Sequence, residues 1–202
     1  MCGSDNFVGN GMFAYLTSKH VPIKTYQFED MLHQSSLGQH QTMVFNIINN
    51  EQPCSAIVQY LNKNRFKFYN NVIVIVADSL VAKLCVELLY IEKVIVLTEK
   101  SSLRDFSQLA TLAVGKWNPR LYRSQKRLTE REQQILNLLV NGYTAREISE
   151  LVSLNYKTIQ AHKMKAVTKL GLSNTSDLNK LIVRFTHSLS FLPALLNKSD
   201  FG

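Results

Sequence analysis

The first part of the chain alternates short β-branched runs with longer stretches of mixed polarity. These runs are apolar at consecutive positions, which is typical of strands that are covered on both faces of a parallel sheet. The runs span residues 42–48, 72–76 and 94–97. Helices are predicted around them at residues 9–19, 26–37, 53–65, 80–90 and 102–115. The pattern therefore predicts an α/β domain over residues 1–117.

Residues 126–185 follow a helical period instead, with apolar positions spaced three and four apart. Thr129 with Glu132, and Thr144 with Glu147, have the Ser/Thr-x-x-Glu spacing of a capping box, which marks the start of a helix. The four predicted helices begin at about Thr129, Thr144, Tyr156 and Thr175. Gly142 and Gly171 follow the first and third of them, where a left-handed residue commonly ends a helix. The segment is predicted to be an all-α unit.

The third of these helices, Tyr156 to Leu170, has two unlike faces. On a wheel of about 100° per residue, Ile159, Ala166 and Leu170 fall on one side and are expected to face the core. The opposite side carries Lys157, Gln160, Ala161, Met164, Lys165 and Thr168. Amides can pair with an adenine edge, small apolar groups can contact a thymine methyl, and lysines can reach guanine or phosphate. From this pattern alone, a DNA-reading helix and an ordinary solvated face remain alternatives.

The charge distribution favours a polyanionic partner for the helical segment. The 202-residue chain has a formal net charge of +8. Residues 1–120 hold 11 basic and 9 acidic side chains, a surplus of +2, whereas residues 121–202 hold 12 and 6, a surplus of +6. A local excess of this kind is typical of nucleic-acid binding and makes that binding depend on salt.

Other function classes find little support. Cys2, Cys54 and Cys85 are far apart and have no metal-ligand spacing, so we expect free thiols, no metal and no cofactor. An enzyme using Cys54 or Cys85 with a histidine would lack any accompanying catalytic motif, and no catalytic residue is assigned. No run approaches the ~18 apolar residues of a membrane helix, and no signal pattern begins the chain. We therefore expect a cytoplasmic protein without membrane contact.

Residues 126–185 resemble the LuxR/NarL-type (GerE-like) helix-turn-helix, through LTEREQQIL, REISELVSL and KTIQAHKMKAVTKLG in that order. The resemblance implies a sequence-specific bacterial transcription regulator that binds double-stranded DNA. The predicted DNA-binding residues are Thr144, Lys157, Thr158, Gln160, Ala161, Lys163, Met164 and Lys165. The family often has a basic residue at Gln160 and a branched apolar one at Ala161, so the preferred base sequence is expected to differ. Lys169 is interpreted as a phosphate anchor, and His162 as either a phosphate contact or an edge of the core.

The α/β domain, placed before such a unit, resembles a response-regulator receiver of flavodoxin-like, doubly wound order. Its opening SDNFVGNGMFAYL matches the first loop of receivers only in part. A receiver needs a phosphoacceptor aspartate after its third strand and two upstream acids that hold Mg²⁺. Asn46 or Asn49 stands near the expected aspartate, so no phosphoacceptor and no metal site are assigned. We predict a degenerate receiver, whose first strand is shortened or begins upstream of Met1.

The predicted organisation is a receiver-like domain at 1–117, a linker at 118–125, a helix-turn-helix domain at 126–185 and a tail at 186–202. Relatives of this kind generally bind paired half-sites. A homodimer or a heterodimer with a related regulator is therefore expected, with the helix at 80–90 within a candidate contact surface. The alternative function is a ligand-sensing regulator, whose α/β domain binds a small molecule and gates the same DNA-binding unit. A pocket with polar groups above the carboxyl ends of the strands would favour that alternative.

Overall fold

The computed structural model describes residues 1–3, 6–28, 42–48, 52–113 and 127–187. Its first part contains strands β1 (Cys2–Gly3), β2 (Thr42–Asn46), β3 (Val72–Ala77) and β4 (Val94–Thr98). The helices of this part are α1 (Phe7–Ser18), α2 (Cys54–Lys63), α3 (Val81–Leu88) and α4 (Leu103–Ala113), with a 3₁₀ turn at Arg65–Phe68. The predicted α/β class is confirmed.

The strands form one parallel sheet in the order β1-β2-β3-β4. Cys2 pairs with Phe45 of β2 and also forms an isolated parallel bridge to Tyr26, which must therefore lie on the other side of β1. The chain thus visits the sheet in the doubly wound, flavodoxin-like order that was predicted. The helix expected from residue 26 is wrong at its start, because Tyr26 lies in this bridge. Residues 29–37 of that predicted helix lie outside the described residues.

Alternating side chains of the central strand face two different helical layers. Ile73 and Ile75 belong to the cluster that contains α2 and α3, whereas Val74 and Val76 belong to the cluster that contains α1 and α4. All six residues of β3 are buried. Burial of each such aliphatic side chain stabilises the fold by roughly 1.5–3 kcal/mol. The continuous apolar run in the sequence is therefore explained by a sheet covered on both faces.

The second part consists of α5 (Glu130–Val140), α6 (Ala145–Leu151), α7 (Tyr156–Lys169) and α8 (Thr175–Thr186). These are the four helices that the sequence predicted. Both predicted capping boxes are present, at the starts of α5 and α6. Gly142 and Gly171 have φ angles of 89° and 64°, as expected for residues that end α5 and α7.

The two parts pack against each other through α3. One hydrophobic cluster extends from the sheet through Leu84 and Leu88 of α3 to Leu128, Leu136 and Phe185. At the edge of this contact, Arg184 of α8 forms an ion pair with Asp78 at 3.4 Å. Helix α3, which the sequence placed within a candidate dimer surface, is thus covered by other residues of the same chain.

The predicted linker at 118–125 and the tail beyond residue 187 lie outside the described residues. Among the residues that are described, no helix is long and apolar enough to span a membrane.

Candidate nucleic-acid interface

The turn between α6 and α7 sets the direction of α7. Ser153 lies in the left-handed region with a φ of 52°. The N–H groups of Ser153 and Leu154 donate to carbonyls in the last turn of α6, at 3.3 and 3.0 Å, which is the paired pattern of a Schellman ending. Asn155 then caps α7, because its side chain accepts a hydrogen bond of 2.8 Å from the Lys157 N–H. Asparagine is a favoured N-cap, so the residue before Tyr156 was an available signal for the start of this helix.

Three isoleucines hold α7 against the preceding helices. Ile135 of α5 is 1% exposed, and Ile148 of α6 and Ile159 of α7 are each 0% exposed. They form one cluster, with Val152 and Leu154 packed against it. Because protein interiors are close-packed, this cluster fixes both the position and the rotation of α7.

The rotation leaves one face of α7 in solvent. Ile159, Ala166 and Val167 are the buried residues of the helix, and Leu170 just beyond it is 3% exposed. The exposed residues are Tyr156, Lys157, Thr158, Ala161, Met164, Lys165 and Thr168, and Gln160 and Lys163 are half-buried. The predicted division into a core face and an outer face is confirmed.

Gln160 is held by a neighbour that sequence reasoning did not single out. Its Nε2 donates a hydrogen bond of 2.7 Å to the hydroxyl of Tyr156, which is 50% exposed. The two residues are four positions apart and therefore adjacent on the helix surface, which was the available signal. The bond restricts the amide of Gln160 without burying it.

The lysines of α7 differ in their partners. Lys157 and Lys165 form no ion pair with a carboxylate in the described part of the chain. Lys163 donates to Oδ1 of Asn179 at 3.4 Å. Lys169 instead lies 2.6 Å from Oε2 of Glu132. This ion pair weighs against its interpretation as a phosphate anchor, because Lys169 already neutralises a buried carboxylate of α5.

Glu132 is almost fully buried, with 3% of its side chain exposed. Burial opposes its ionisation, but the hydrogen bonds from Lys169 and from the Thr129 N–H, together with the charge of Lys169, outweigh that effect and lower the pKa of Glu132. The carboxylate thus joins the start of α5 to the end of α7.

Two predicted contact residues have structural surroundings of their own. The Thr144 hydroxyl donates to Oε2 of Glu147 at 2.8 Å and accepts from the Glu147 N–H at 3.3 Å, so it completes the cap of α6. His162 is half-buried, and its Nδ1 is buried with no hydrogen-bond partner in the part of the chain that the structure describes. This placement favours the core-edge interpretation of His162.

At the carboxyl end of the sheet, two asparagine side chains are hydrogen-bonded to each other. Asn46, the last residue of β2, is 0% exposed, and its Nδ2 donates to Oδ1 of Asn6 at 3.0 Å. Asn6 Nδ2 donates to the Ile48 carbonyl at 2.7 Å, and its Oδ1 caps α1 by accepting from the Gly9 N–H at 2.9 Å. Asn49 lies outside the described residues. Among those described, no three His, Cys, Asp or Glu side chains are grouped so as to hold a metal ion.

The helix-turn-helix geometry agrees with comparisons to known proteins. Residues 126–182 match the family model of bacterial regulatory proteins of the luxR family. The transcriptional regulatory protein TdiR of Thauera aromatica is 40% identical over 57 residues, which are 28% of this chain and 25% of that protein. The oxygen regulatory protein NreC of Staphylococcus aureus (strain JH9) is 43% identical over 53 residues, 26% of this chain and 24% of that protein. The chain thus matches about a quarter of the length of these relatives.

The two-part fold also has a solved counterpart. A structure of two RcsB dimers bound to two parallel DNAs has 20% sequence identity and a TM-score of 0.51, and the match covers 92% of this chain and 96% of that chain. At this identity the likeness concerns the fold. The molecule therefore has the architecture of a receiver-like α/β domain followed by a helix-turn-helix domain. Within it, residues 126–182 form a helix-turn-helix domain of the luxR type.

Proposed function

We propose that this chain is a sequence-specific DNA-binding transcription regulator, in which α7 is the recognition helix. One observation carries the proposal: the cluster around Ile148 and Ile159 fixes α7 while its outer face stays in solvent. On that face, Lys157 and Lys165 form no ion pair with any carboxylate that the structure describes. A B-DNA major groove is about 12 Å wide and admits one α-helix. A rigid helix with such a face meets that geometry.

The residue types on this face suggest separate roles. The Gln160 amide suits an adenine edge, and Ala161 and Met164 suit thymine methyl groups. Lys157 and Lys165 suit phosphates, which position the helix without reading bases. The full set proposed to contact DNA is Thr144, Lys157, Thr158, Gln160, Ala161, Lys163, Met164 and Lys165.

The proposal is tested by substituting one proposed base-reading residue and one proposed phosphate-contacting residue. The DNA duplexes for the test are those that the wild-type protein selects from a random-sequence pool. Gln160→Ala is expected to reduce discrimination between selected and scrambled duplexes by about 1–3 kcal/mol per lost base contact. Lys165→Ala is expected to weaken binding to both alike and to reduce the salt slope by about 0.9. Lys67→Ala, a charge loss at an exposed site of the 3₁₀ turn, is the control. Equal weakening of all duplexes by Gln160→Ala would refute its base-reading role.

We further propose that DNA binding is not controlled by phosphorylation at the usual receiver aspartate. The support is the buried Asn46, whose amide is hydrogen-bonded to Asn6, since an amide is neither a phosphoacceptor nor an anionic metal ligand. Incubation of the intact chain with acetyl phosphate and Mg²⁺ is expected to leave its mass unchanged. A stable phosphoadduct mapped to the α/β domain would contradict the proposal.

We also propose that the regulator acts as a dimer, either with itself or with a related regulator, since paired half-sites require two-fold symmetry. Six of the eight residues of α3 are buried, partly by the helix-turn-helix of the same chain. A dimer of the docked form must therefore use other surfaces than α3. Sedimentation of the chain with and without DNA measures its oligomeric state.

The ligand-sensing alternative is favoured by one cavity. A cavity of about 350 Å³ is lined by Leu80, which follows β3 at the carboxyl edge of the sheet, and by residues of the other domain that include Leu172, Lys180 and Arg184. The lining also includes Asp177, and Arg184 is already paired with Asp78. Apolar walls with Lys180 as the remaining cation suit a small amphipathic ligand whose anionic group pairs with Lys180. Octanoate is a direct probe: if the alternative is correct, it raises the melting temperature of wild type but not of Lys180→Ala. No shift in wild type would count against this second function.

A further inference from the structure

A buried carboxylate of the α/β domain receives hydrogen bonds only from the helix-turn-helix side among the contacts in the described residues. Glu87 of α3 is 2% exposed. Its Oε1 accepts from the Arg127 N–H at 2.7 Å, and its Oε2 accepts from the Leu128 N–H at 3.3 Å. Oε2 also accepts from Nε2 of Gln133 at 3.2 Å. The three donors lie just before or within α5.

This arrangement makes Glu87 dependent on the second domain. Taking a carboxylate out of water is costly unless hydrogen bonds replace its hydration. Here two backbone N–H groups ahead of a helix start supply those bonds, and the positive end of the α5 dipole adds to them. Leu128 and Gln133 are themselves 6% and 9% exposed, so water has little access while the domains are docked. Separation of the domains would expose both sides of this contact and replace these three hydrogen bonds by hydrogen bonds to water.

The docked arrangement uses the side of the helix-turn-helix that does not carry the proposed DNA face. Helix α3 packs against α5 and α8, and α2 packs against α8. Gln59 of α2 donates to Oδ1 of Asn141 at 3.5 Å, and Asp78 pairs with Arg184 of α8. Meanwhile Lys157, Met164 and other outer residues of α7 remain exposed. Docking and exposure of α7 therefore coexist in one conformation.

We propose that Glu87 locks the α/β domain onto the helix-turn-helix in the DNA-competent form, so that the N-terminal domain carries the recognition helix and does not shield it. The inference rests on the proposed DNA-binding function and adds how that function is governed. Control of DNA binding by release of the helix-turn-helix from the α/β domain is then ruled out. Regulation then acts on the docked unit as a whole, through a partner, a bound ligand or its abundance.

The docking part is tested without DNA, by hydrogen exchange of backbone amides in the full chain. Glu87→Ala is expected to raise the exchange rates of the Arg127 and Leu128 amides by about tenfold or more. The reason is that these amides lose their acceptor and the contact between the two domains opens. Glu92→Gln, which removes an exposed carboxylate of the same domain, is the control and should leave both amides protected. If Glu87→Ala does not fold, Gln133→Ala removes one donor from the opposite side and should raise the same rates to a smaller extent. Unchanged protection in the folded variants would overturn the lock.

The DNA part uses a random-sequence duplex at low salt, bound by wild type and by the Glu87 and Gln133 variants. The dissociation constants are expected to agree within about threefold. Tightening by about tenfold or more in the unlocked variants would show that the docked domain shields α7, and would overturn the proposal. If wild type and all variants fail to bind any duplex, the proposed function fails, whereas the exchange result still decides whether Glu87 locks the domains.

Discussion

The two capping boxes of the helix-turn-helix look alike in sequence but are predicted to respond differently to the same substitution. Glu132 and Glu147 each occupy the third helical position after a threonine cap. Glu132 is 3% exposed and is paired with Lys169, whereas Glu147 is exposed. Replacement by glutamine keeps a side-chain oxygen that can accept from the cap N–H and removes only the charge.

The expected magnitude follows from what each charge contacts. A hydrogen bond to a charged group contributes about 1.5–3 kcal/mol. Lys169 keeps 36% of its side chain in solvent, which weakens the pair, so Glu132→Gln should lower the free energy of unfolding by about 1.5 kcal/mol. Glu147→Gln loses only an interaction of an exposed carboxylate with its own helix end, and its effect should be clearly smaller.

Urea unfolding of the full chain, followed by the helical signal in circular dichroism, measures the change in the free energy of unfolding for both substitutions. Lys169→Gln should cost more than Glu132→Gln, because it leaves a buried carboxylate without its cation. The double variant should cost little more than Glu132→Gln alone, since both changes remove the same interaction. Equal losses from Glu132→Gln and Glu147→Gln would refute the argument, because they would show that the tertiary ion pair adds nothing to the local cap.

Three further predictions concern stability and reactivity. The pKa values of Glu132 and Glu147 are lowered in the fold. The stabilisation that these two carboxylates contribute is therefore present above about pH 4.5 and is lost as the pH falls through the folded pKa values. The urea midpoint should drop more steeply with falling pH in wild type than in the variant that combines Glu132→Gln and Glu147→Gln. Ile148→Ala, at a position that is 0% exposed, should lower the free energy of unfolding by about 2–5 kcal/mol. A loss below about 1 kcal/mol would contradict the conclusion that close packing around Ile148 fixes the position of α7. Burial, helped by the charge of Asp78, raises the pKa of Cys54 to about 12. At pH 8 the thiolate fraction of Cys54 is then about one in ten thousand. Iodoacetamide should therefore label Cys54 in urea but hardly at all in the native chain, which peptide mass spectrometry can measure.

Local patterns predicted most of the elements because their causes are local. The capping boxes at Thr129 and Thr144 need only a side chain three residues from a cap, and Gly142 and Gly171 need only their own backbone freedom. The continuous apolar run at residues 72–76 predicted a strand that is buried on both faces of the sheet. The bridge at Tyr26 was missed, since a single parallel pairing with Cys2 is a long-range contact that leaves no period in the sequence.

Site residues divide in the same way. The outer face of α7 followed from the helical period, which settles which residues share a face. The period did not show that Lys169 reaches back to Glu132, or that the Thr144 hydroxyl also exchanges hydrogen bonds with Glu147. Such assignments depend on which partners the folded chain brings within hydrogen-bond distance. The sequence names the side chains on a face but not their neighbours.

The sequence by itself determined the α/β class, the four C-terminal helices and the two faces of α7. Each of these follows from residue type and spacing within one element. Only the tertiary structure decided that Glu87 accepts hydrogen bonds from the start of α5, that α3 is covered by the helix-turn-helix, and that α7 stays exposed while the domains are docked. The physical reason is that burial and pairing across domains depend on the relative placement of distant segments, which packing of the whole chain sets.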